Sequence, residues 1–234
     1  MTTKNKWNGD FLEGLQRQQT KRVVLLYSSG LDSTATALVL KEQGYEVFPL
    51  FIHYGQTSDE AETKFVKEGA ARIGLNPIRM VDMLSVLELC SGKLTGGISI
   101  SDADAWLPAR NTLFLVLAGM YAQMIDADAI SIGYGLHGNF VYADNMLVHH
   151  QLIEIALTFS LVRELKVLLP IKHLSKQQIL KIVRDRGLLD LSVSCWNAKL
   201  QDGEVITCEN CVNCTEKNAA LKEMEVEDGL EGLT

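Results

Sequence analysis

Long apolar runs are missing from this 234-residue chain. The longest candidate, residues 113–125, is too short to cross a bilayer and is interrupted by Gly119, Tyr121 and Gln123, so no membrane association is expected. Residues 1–21 are polar and lack the apolar stretch of a secretory signal, which makes a cytoplasmic protein the expectation. A basic surplus is missing too. With 22 basic and 29 acidic residues the formal charge is −7, and that disfavours tRNA or DNA as the main partner. Cysteines number only five; inside a cell they are read as metal ligands or buried thiols rather than disulfides. There is no internal repeat and no low-complexity tract.

What the chain has instead is a regular alternation of elements. Residues 23–27 are continuously apolar and run into Ser28-Ser29-Gly30-Leu31-Asp32-Ser33-Thr34. Such a run suits a strand buried on both faces of a parallel sheet. The expected strands are 22–27, 46–52, 77–81, 129–132 and 166–169. The expected helices are 33–43, 58–73, 110–125, 147–161 and 175–186, with Gly44, Gly74 and Gly187 as stops and Ser175 as an N-cap. This order predicts an α/β fold with a doubly wound parallel sheet, whose ligands sit beyond the carboxyl ends of the strands. The 28–33 turn and His53-Tyr54-Gly55-Gln56 would then share one site. Residues 91–109 are glycine-containing and aperiodic, and are expected to form a long loop, a lid. Three regions follow: an extension at 1–21, an α/β domain at 22–190, and a small C-terminal region at 191–234 that holds four of the five cysteines.

Four groups of residues carry chemistry. The 28–34 turn places backbone N–H groups, hydroxyls and a helix N-terminus around one point, which is how proteins hold phosphate. Walker and dinucleotide fingerprints do not fit it. Asp32 is the odd member, because a carboxylate beside phosphates is repulsive unless it holds Mg²⁺ or caps the helix. Cys195-x12-Cys208-x2-Cys211-x2-Cys214 suits a closed, tetrahedral and therefore structural Zn²⁺ site; an iron–sulfur cluster is the chemical alternative. Cys90 stands apart as a buried or free thiol. Arg110 opens an apolar helix after Leu107-Pro108-Ala109, where a guanidinium reaches a phosphate or only solvent. Lys176 lies in a first helical turn, where the dipole disfavours a cation and so points to a nearby anion. His149, His150 and Glu154 are expected on the surface, since no third ligand accompanies them. Lys199, Gln201, Asp202 and Glu204 read as a solvated hairpin.

The order S-[SG]-G-x-D-S resembles the pyrophosphate loop of the ATP pyrophosphatase (PP-loop) superfamily, whose members split ATP to AMP and pyrophosphate while adenylating an oxygen. Taken together with Tyr54-Gly55-Gln56, Pro108-Ala109-Arg110-Asn111, Leu174-Ser175-Lys176 and the terminal cysteines, it resembles the 7-cyano-7-deazaguanine (preQ0) synthase family. The resemblance implies adenylation of 7-carboxy-7-deazaguanine, attack by ammonia to give an amide, and a second ATP-driven step to the nitrile. It also implies ATP with Mg²⁺ at Tyr27, Ser28, Ser29, Gly30, Leu31, Asp32, Ser33, Thr34 and Gln56, with Asp32, Ser33, Arg110 and Lys176 in catalysis. Tyr142 and Asp144 would contact the deazaguanine, Cys195, Cys208, Cys211 and Cys214 would hold Zn²⁺, and a homo-oligomer, a dimer, is expected.

The chain departs from that pattern twice. Ser29 stands where the family usually has glycine, a mild change if the position needs no positive φ. Asn145 and Met146 stand where the family typically has Cys-Arg. The second departure leaves open a paralogue that couples the acyl-adenylate to an amine of another molecule, a protein included. A non-catalytic ATP-binding zinc protein is a further alternative, and a tRNA-thiolating enzyme is disfavoured by the acidic balance and the closed Cys₄ spacing.

Overall fold

The computed structural model describes residues 20–85, 89, 93–95, 106–135 and 142–231. The extension expected at 1–21, Cys90 and most of the expected lid therefore fall outside the described residues. Five parallel strands form one sheet: β1 (Arg22–Leu26), β2 (Glu46–His53), β3 (Arg79–Asp82), β4 (Ala129–Ile132) and β5 (Lys166–Leu168), in the order β3-β2-β1-β4-β5. The sheet is the doubly wound one that the alternation predicted. β1 is central, pairing Val24 with Phe48 of β2 on one side and Ile130 of β4 on the other. Burial on both faces is why Val23, Val24 and Leu25 can all be apolar, each fully buried.

Helices cover the two faces. α1 (Leu31–Glu42) and α2 (Asp59–Ile73) lie on one side, α3 (Arg110–Ile125) and α4 (Leu147–Leu161) on the other. α5 (Lys176–Asp185) packs on α1, burying Ile179, Leu180 and Val183 against Leu31, Ala35 and Leu38. Its start follows the sequence reading: Ser175 Oγ accepts from Gln178 N at 3.2 Å while Ser175 N donates to Gln178 Oε1 at 2.8 Å, a reciprocal capping box. The expected hairpin is β6 (Lys199–Gln201) with β7 (Glu204–Ile206), antiparallel. A final helix, α6 (Val212–Glu231), was not anticipated. Its Ala220, Leu221 and Met224 extend the α1–α5 core, so the tail is a packed element and not only a carrier of cysteines.

The chain runs β1, β2, β3 toward one edge and then returns to β4 and β5 on the other side of β1. Strand order therefore reverses between β1 and β4, and a crevice opens beyond their carboxyl ends.

Candidate active site

The turn after β1 folds on its own hydroxyls. Ser33 Oγ donates to Gly30 O at 3.0 Å, and Ser28 N and Gly30 N approach Ser33 Oγ and Ser28 Oγ at 3.3 and 3.4 Å. α1 begins at Leu31, two residues earlier than its periodicity predicted, with extended Gly30 as N-cap. Asp32 and Ser33 thus lie in its first turn, whose N–H groups have no partner within the helix. Gly133, at the end of β4, rests directly on this turn: a Cβ there would stand 2.7 Å from Ser33 Cα and 2.8 Å from Asp32 O. Only a glycine lets the two strand ends close together.

Ser29 corrects one expectation. Its φ is +57°, so the position does need the left-handed conformation, which disfavours any residue with a Cβ by about 1–2 kcal/mol. Two contacts hold it there. Val193 N donates to Ser29 O at 3.0 Å, and Ser29 Oγ reaches Glu62 O at 3.5 Å.

A cavity of ≈ 290 Å³ opens in front of the turn. Tyr27, Ser28, Gly30, Leu31, Asp32 and Ser33 line it from the β1 end and α1, joined by Arg110 from α3 and Lys176 from α5. Ser29 and Thr34 are buried behind it, and the Tyr27 ring belongs to the core, its hydroxyl lying against Gly69. Burial pushes the Tyr27 phenol up to about 12. Lys176 does have the anion that its helix position called for: Asp32, at 3.2 and 3.5 Å. The N-cap of α1 is Gly30, which has no side chain to cap with, and the Asp32 carboxylate pairs with Lys176. Arg110 sits over the Tyr54 ring at 5.7 Å and donates to its hydroxyl at 3.5 Å.

Gln56 reaches the cavity as expected and brings a residue that the sequence reading missed. Gln56 Oε1 accepts from Tyr54 N at 2.9 Å, and its Nε2 donates to Ile52 O and Glu62 Oε2, both at 3.2 Å. Ser58 Oγ donates to Glu62 Oε1 at 2.8 Å. Glu62 lines the cavity with no described cation within ion-pair distance. Desolvation raises its carboxyl from the ordinary 4.5 to about 7, against the hydrogen bonds from Ser58 and Gln56 that favour the ionised form.

Neither Tyr142 nor Asp144, the expected substrate contacts, is among the residues that line this cavity. Tyr142 packs with Leu94, Leu107, Tyr54 and Trp196 at its rim, where Leu94 O accepts from Thr57 N at 2.7 Å and anchors the described part of the 91–109 loop. Asp144 sits in a 3₁₀ turn at Ala143–Asn145, tied to the cavity wall by Asn111 Nδ2 donating to Asn145 Oδ1 at 3.0 Å. Asp144 is 9% exposed, and its Oδ1 has no hydrogen-bond partner among the described residues. The histidine expectation fails for His150, which is 2% exposed and shares its Nδ1 with Tyr134 Oη and Met146 O at 3.1 and 3.0 Å. Burial holds its imidazole below the usual range. Glu154 instead caps β5, accepting from Val167 N at 2.8 Å.

The four terminal cysteines converge. Their sulfurs all lie within 4.8 Å of one another, with Cys195 Sγ and Cys208 Sγ 3.4 Å apart and no disulfide among them. A tetrahedron of 2.3 Å metal–sulfur bonds has edges of about 3.8 Å, so the set fits a single ion. Cys208 is also met by Asn197 Nδ2, and its own N–H donates to Cys195 Sγ at 3.2 Å. Cys195 and Trp196 at the same time form a wall of the cavity.

Residues 22–225 match the family described as "Queuosine biosynthesis protein QueC". The chain is 27% identical over 230 residues to a 7-cyano-7-deazaguanine synthase of Pyrococcus furiosus, covering 89% of this chain and 95% of that one. It is 29% identical over 234 residues to the 7-cyano-7-deazaguanine synthase of Coxiella burnetii strain RSA 493, covering 92% and 99%. Among solved structures it is similar to an NH3-dependent NAD synthetase from Campylobacter jejuni, at a TM-score of 0.47 and 18% identity over 77% of this chain and 70% of that one.

Proposed function

We propose, from the premise that the chain belongs to the queuosine biosynthesis protein QueC family, that it is an ATP-dependent ligase acting on the carboxylate of a 7-deazaguanine. The observation that carries this reading is the convergence, in one cavity, of the Ser28–Ser33 turn with two cations, Arg110 and Lys176, that arrive from separate helices. First-turn amides and hydroxyls suit the pyrophosphate of ATP, and the two cations suit charge that develops at the α-phosphate. Asp32 and the turn hydroxyls are the groups that would hold Mg²⁺, which neutralises phosphate charge when bound.

In this reading the substrate carboxylate attacks the α-phosphorus and pyrophosphate leaves. The second half-reaction forms the C–N bond and breaks the acyl C–O bond, releasing AMP. The incoming amine must lose a proton, and Glu62, which titrates near neutrality in the same cavity, is the base at hand. The buried Asp144 Oδ1, without a hydrogen-bond partner among the described residues, is the acceptor for the guanine-like N–H edge. Cys195, Cys208, Cys211 and Cys214 are the residues that would hold a Zn²⁺, which would supply structural cross-linking of the C-terminal region; a four-iron cluster, with each thiolate on a different iron, would need its sulfurs farther apart.

A second reading keeps the adenylation and changes the amine. The Ala143–Asn145 turn and Met146 supply no cation where the resembling family has one, and Met146 is about half exposed. Incubation with ATP, ammonium and 7-carboxy-7-deazaguanine should release AMP and pyrophosphate only when the acid is present. Mass spectrometry of the product then separates the readings, as a free nitrile or an amide-linked adduct. Acid-independent AMP, or none at all, would sink both.

A further inference from the structure

Asp144 belongs to a buried polar cluster of which the proposed chemistry uses only that one member. Asp144 and Tyr134 are 9% exposed and His150 is 2% exposed. Two of their atoms, Asp144 Oδ1 and His150 Nε2, are buried with no hydrogen-bond partner among the described residues. The groups share one neighbourhood, since the Asp144 carboxylate acts through space on both the His150 imidazole and the Tyr134 phenol. The cluster adjoins the cavity through Asn111, which lines the wall and holds Asn145. A buried polar atom left unpaired is costly, so two of them side by side mark a place where a partner arrives.

The hydrogen positions fix the chemistry of that partner. His150 Nδ1 lies 3.0 Å from Met146 O, a carbonyl that can only accept, so Nδ1 donates and carries the ring hydrogen. Burial disfavours the charged imidazole, and in the neutral ring Nε2 is then a lone pair. Asp144 Oδ1 is an acceptor as well. Two acceptors repel an anion and fit a group that offers two adjacent N–H donors. Both are held in place. The His150 ring stacks on Tyr134 with centroids 4.9 Å apart, and Tyr134 Oη stands 3.1 Å from Nδ1. The turn and the start of α4 are pinned to α3 by Asn145 on Asn111 and by His149 Nε2 on Thr112 Oγ1 at 2.8 Å.

We propose that His150 is a specificity-determining residue, whose Nε2 acts with Asp144 Oδ1 to read the ring N–H and the exocyclic amine of a 2-aminopyrimidinone edge. The inference rests on the deazaguanine reading above and adds a second acceptor to it. A base without the 2-amino group leaves one of the two buried acceptors unpaired and is rejected for that reason. Calorimetry on the full chain should show 7-carboxy-7-deazaguanine binding at least about 100-fold more tightly than its analogue lacking the 2-amino group. His150→Phe keeps a ring and removes the lone pair, so it should cut that ratio at least about tenfold. A merely structural role would weaken both ligands alike and leave the ratio unchanged. In the wild type, nitrogen-15 NMR should show His150 Nε2 unprotonated, with a resonance that moves when the acid binds and stays when the analogue is added. Equal binding of the two ligands, a ratio unchanged in His150→Phe, or a His150 resonance indifferent to the acid would each overturn the proposal and leave the adenylation reading standing. Binding of neither ligand would overturn both.

Discussion

Replacing Glu62 by glutamine should make the protein more stable in mild alkali while leaving it nearly unchanged in mild acid. The wild-type carboxyl titrates at about 7 in the folded chain against an ordinary value of 4.5. Below 4.5 both states are protonated, and the folded state bears no penalty. As pH rises, the unfolded carboxyl ionises first, so stability falls until the folded group also ionises at about 7; beyond that the loss is complete. A displacement of this size corresponds to about 3 kcal/mol, and water at the cavity mouth reduces that to about 1–2 kcal/mol. For a chain of this length the change in Tm is roughly 3–6 °C. Glutamine keeps the shape, can still accept from Gln56, and has no charge to desolvate. Thermal unfolding of wild type and Glu62→Gln at pH 5 and pH 8.5 reads the effect: the wild-type Tm should drop more between the two pH values, by the amount given. Parallel drops in the two proteins would refute the assignment of the raised pKa to this carboxyl.

Ser29→Gly should relieve the left-handed strain and, after the flexibility glycine adds to the unfolded chain, stabilise the fold by about 0.5–1 kcal/mol; Ser29→Ala should give no gain in the same denaturant titration. Gly133→Ala should push the β4 end away from Ser33 and Asp32, costing about 1–3 kcal/mol and weakening ATP binding measured by calorimetry. Lys176→Met should leave the protein folded and slow acid-dependent ATP–pyrophosphate exchange about 100-fold. Stripping the metal with a strong chelator, or Cys214→Ser, should make the segment after Val193 sensitive to limited proteolysis.

The parts of the site legible in the sequence are those whose residues are contiguous. An apolar run, a serine-rich turn and a helix start announce the β1–α1 loop because strand burial and turn geometry act on neighbours in the chain. The cysteine spacing is legible for the same reason, since a metal ion sets short loops. Glu62 was not seen, because α2 contains Asp59, Glu60, Glu62 and Glu68 and composition does not say which one packing removes from water. Its spacing from Val66 and Gly69, both on the buried face, was the available signal. His150 was misplaced because imidazole is polar enough to suggest solvent, and its partners, Tyr134 and the Met146 carbonyl, come from the end of β4 and the turn before α4.

The bond from Val193 N to Ser29 O has a reach beyond its length of 3.0 Å. It joins the strained residue of the 28–34 turn to an irregular segment two residues before Cys195, the first of the four clustered cysteines. Whatever fixes Cys195 therefore also holds Ser29 in its left-handed form. By reciprocity, a metal that favours the ordered loop must itself be bound more tightly when nucleotide is present. On the proposed reading the cysteine cluster would then act as an effector of the nucleotide site: a chain stripped of its metal should lose affinity for ATP before it loses its fold.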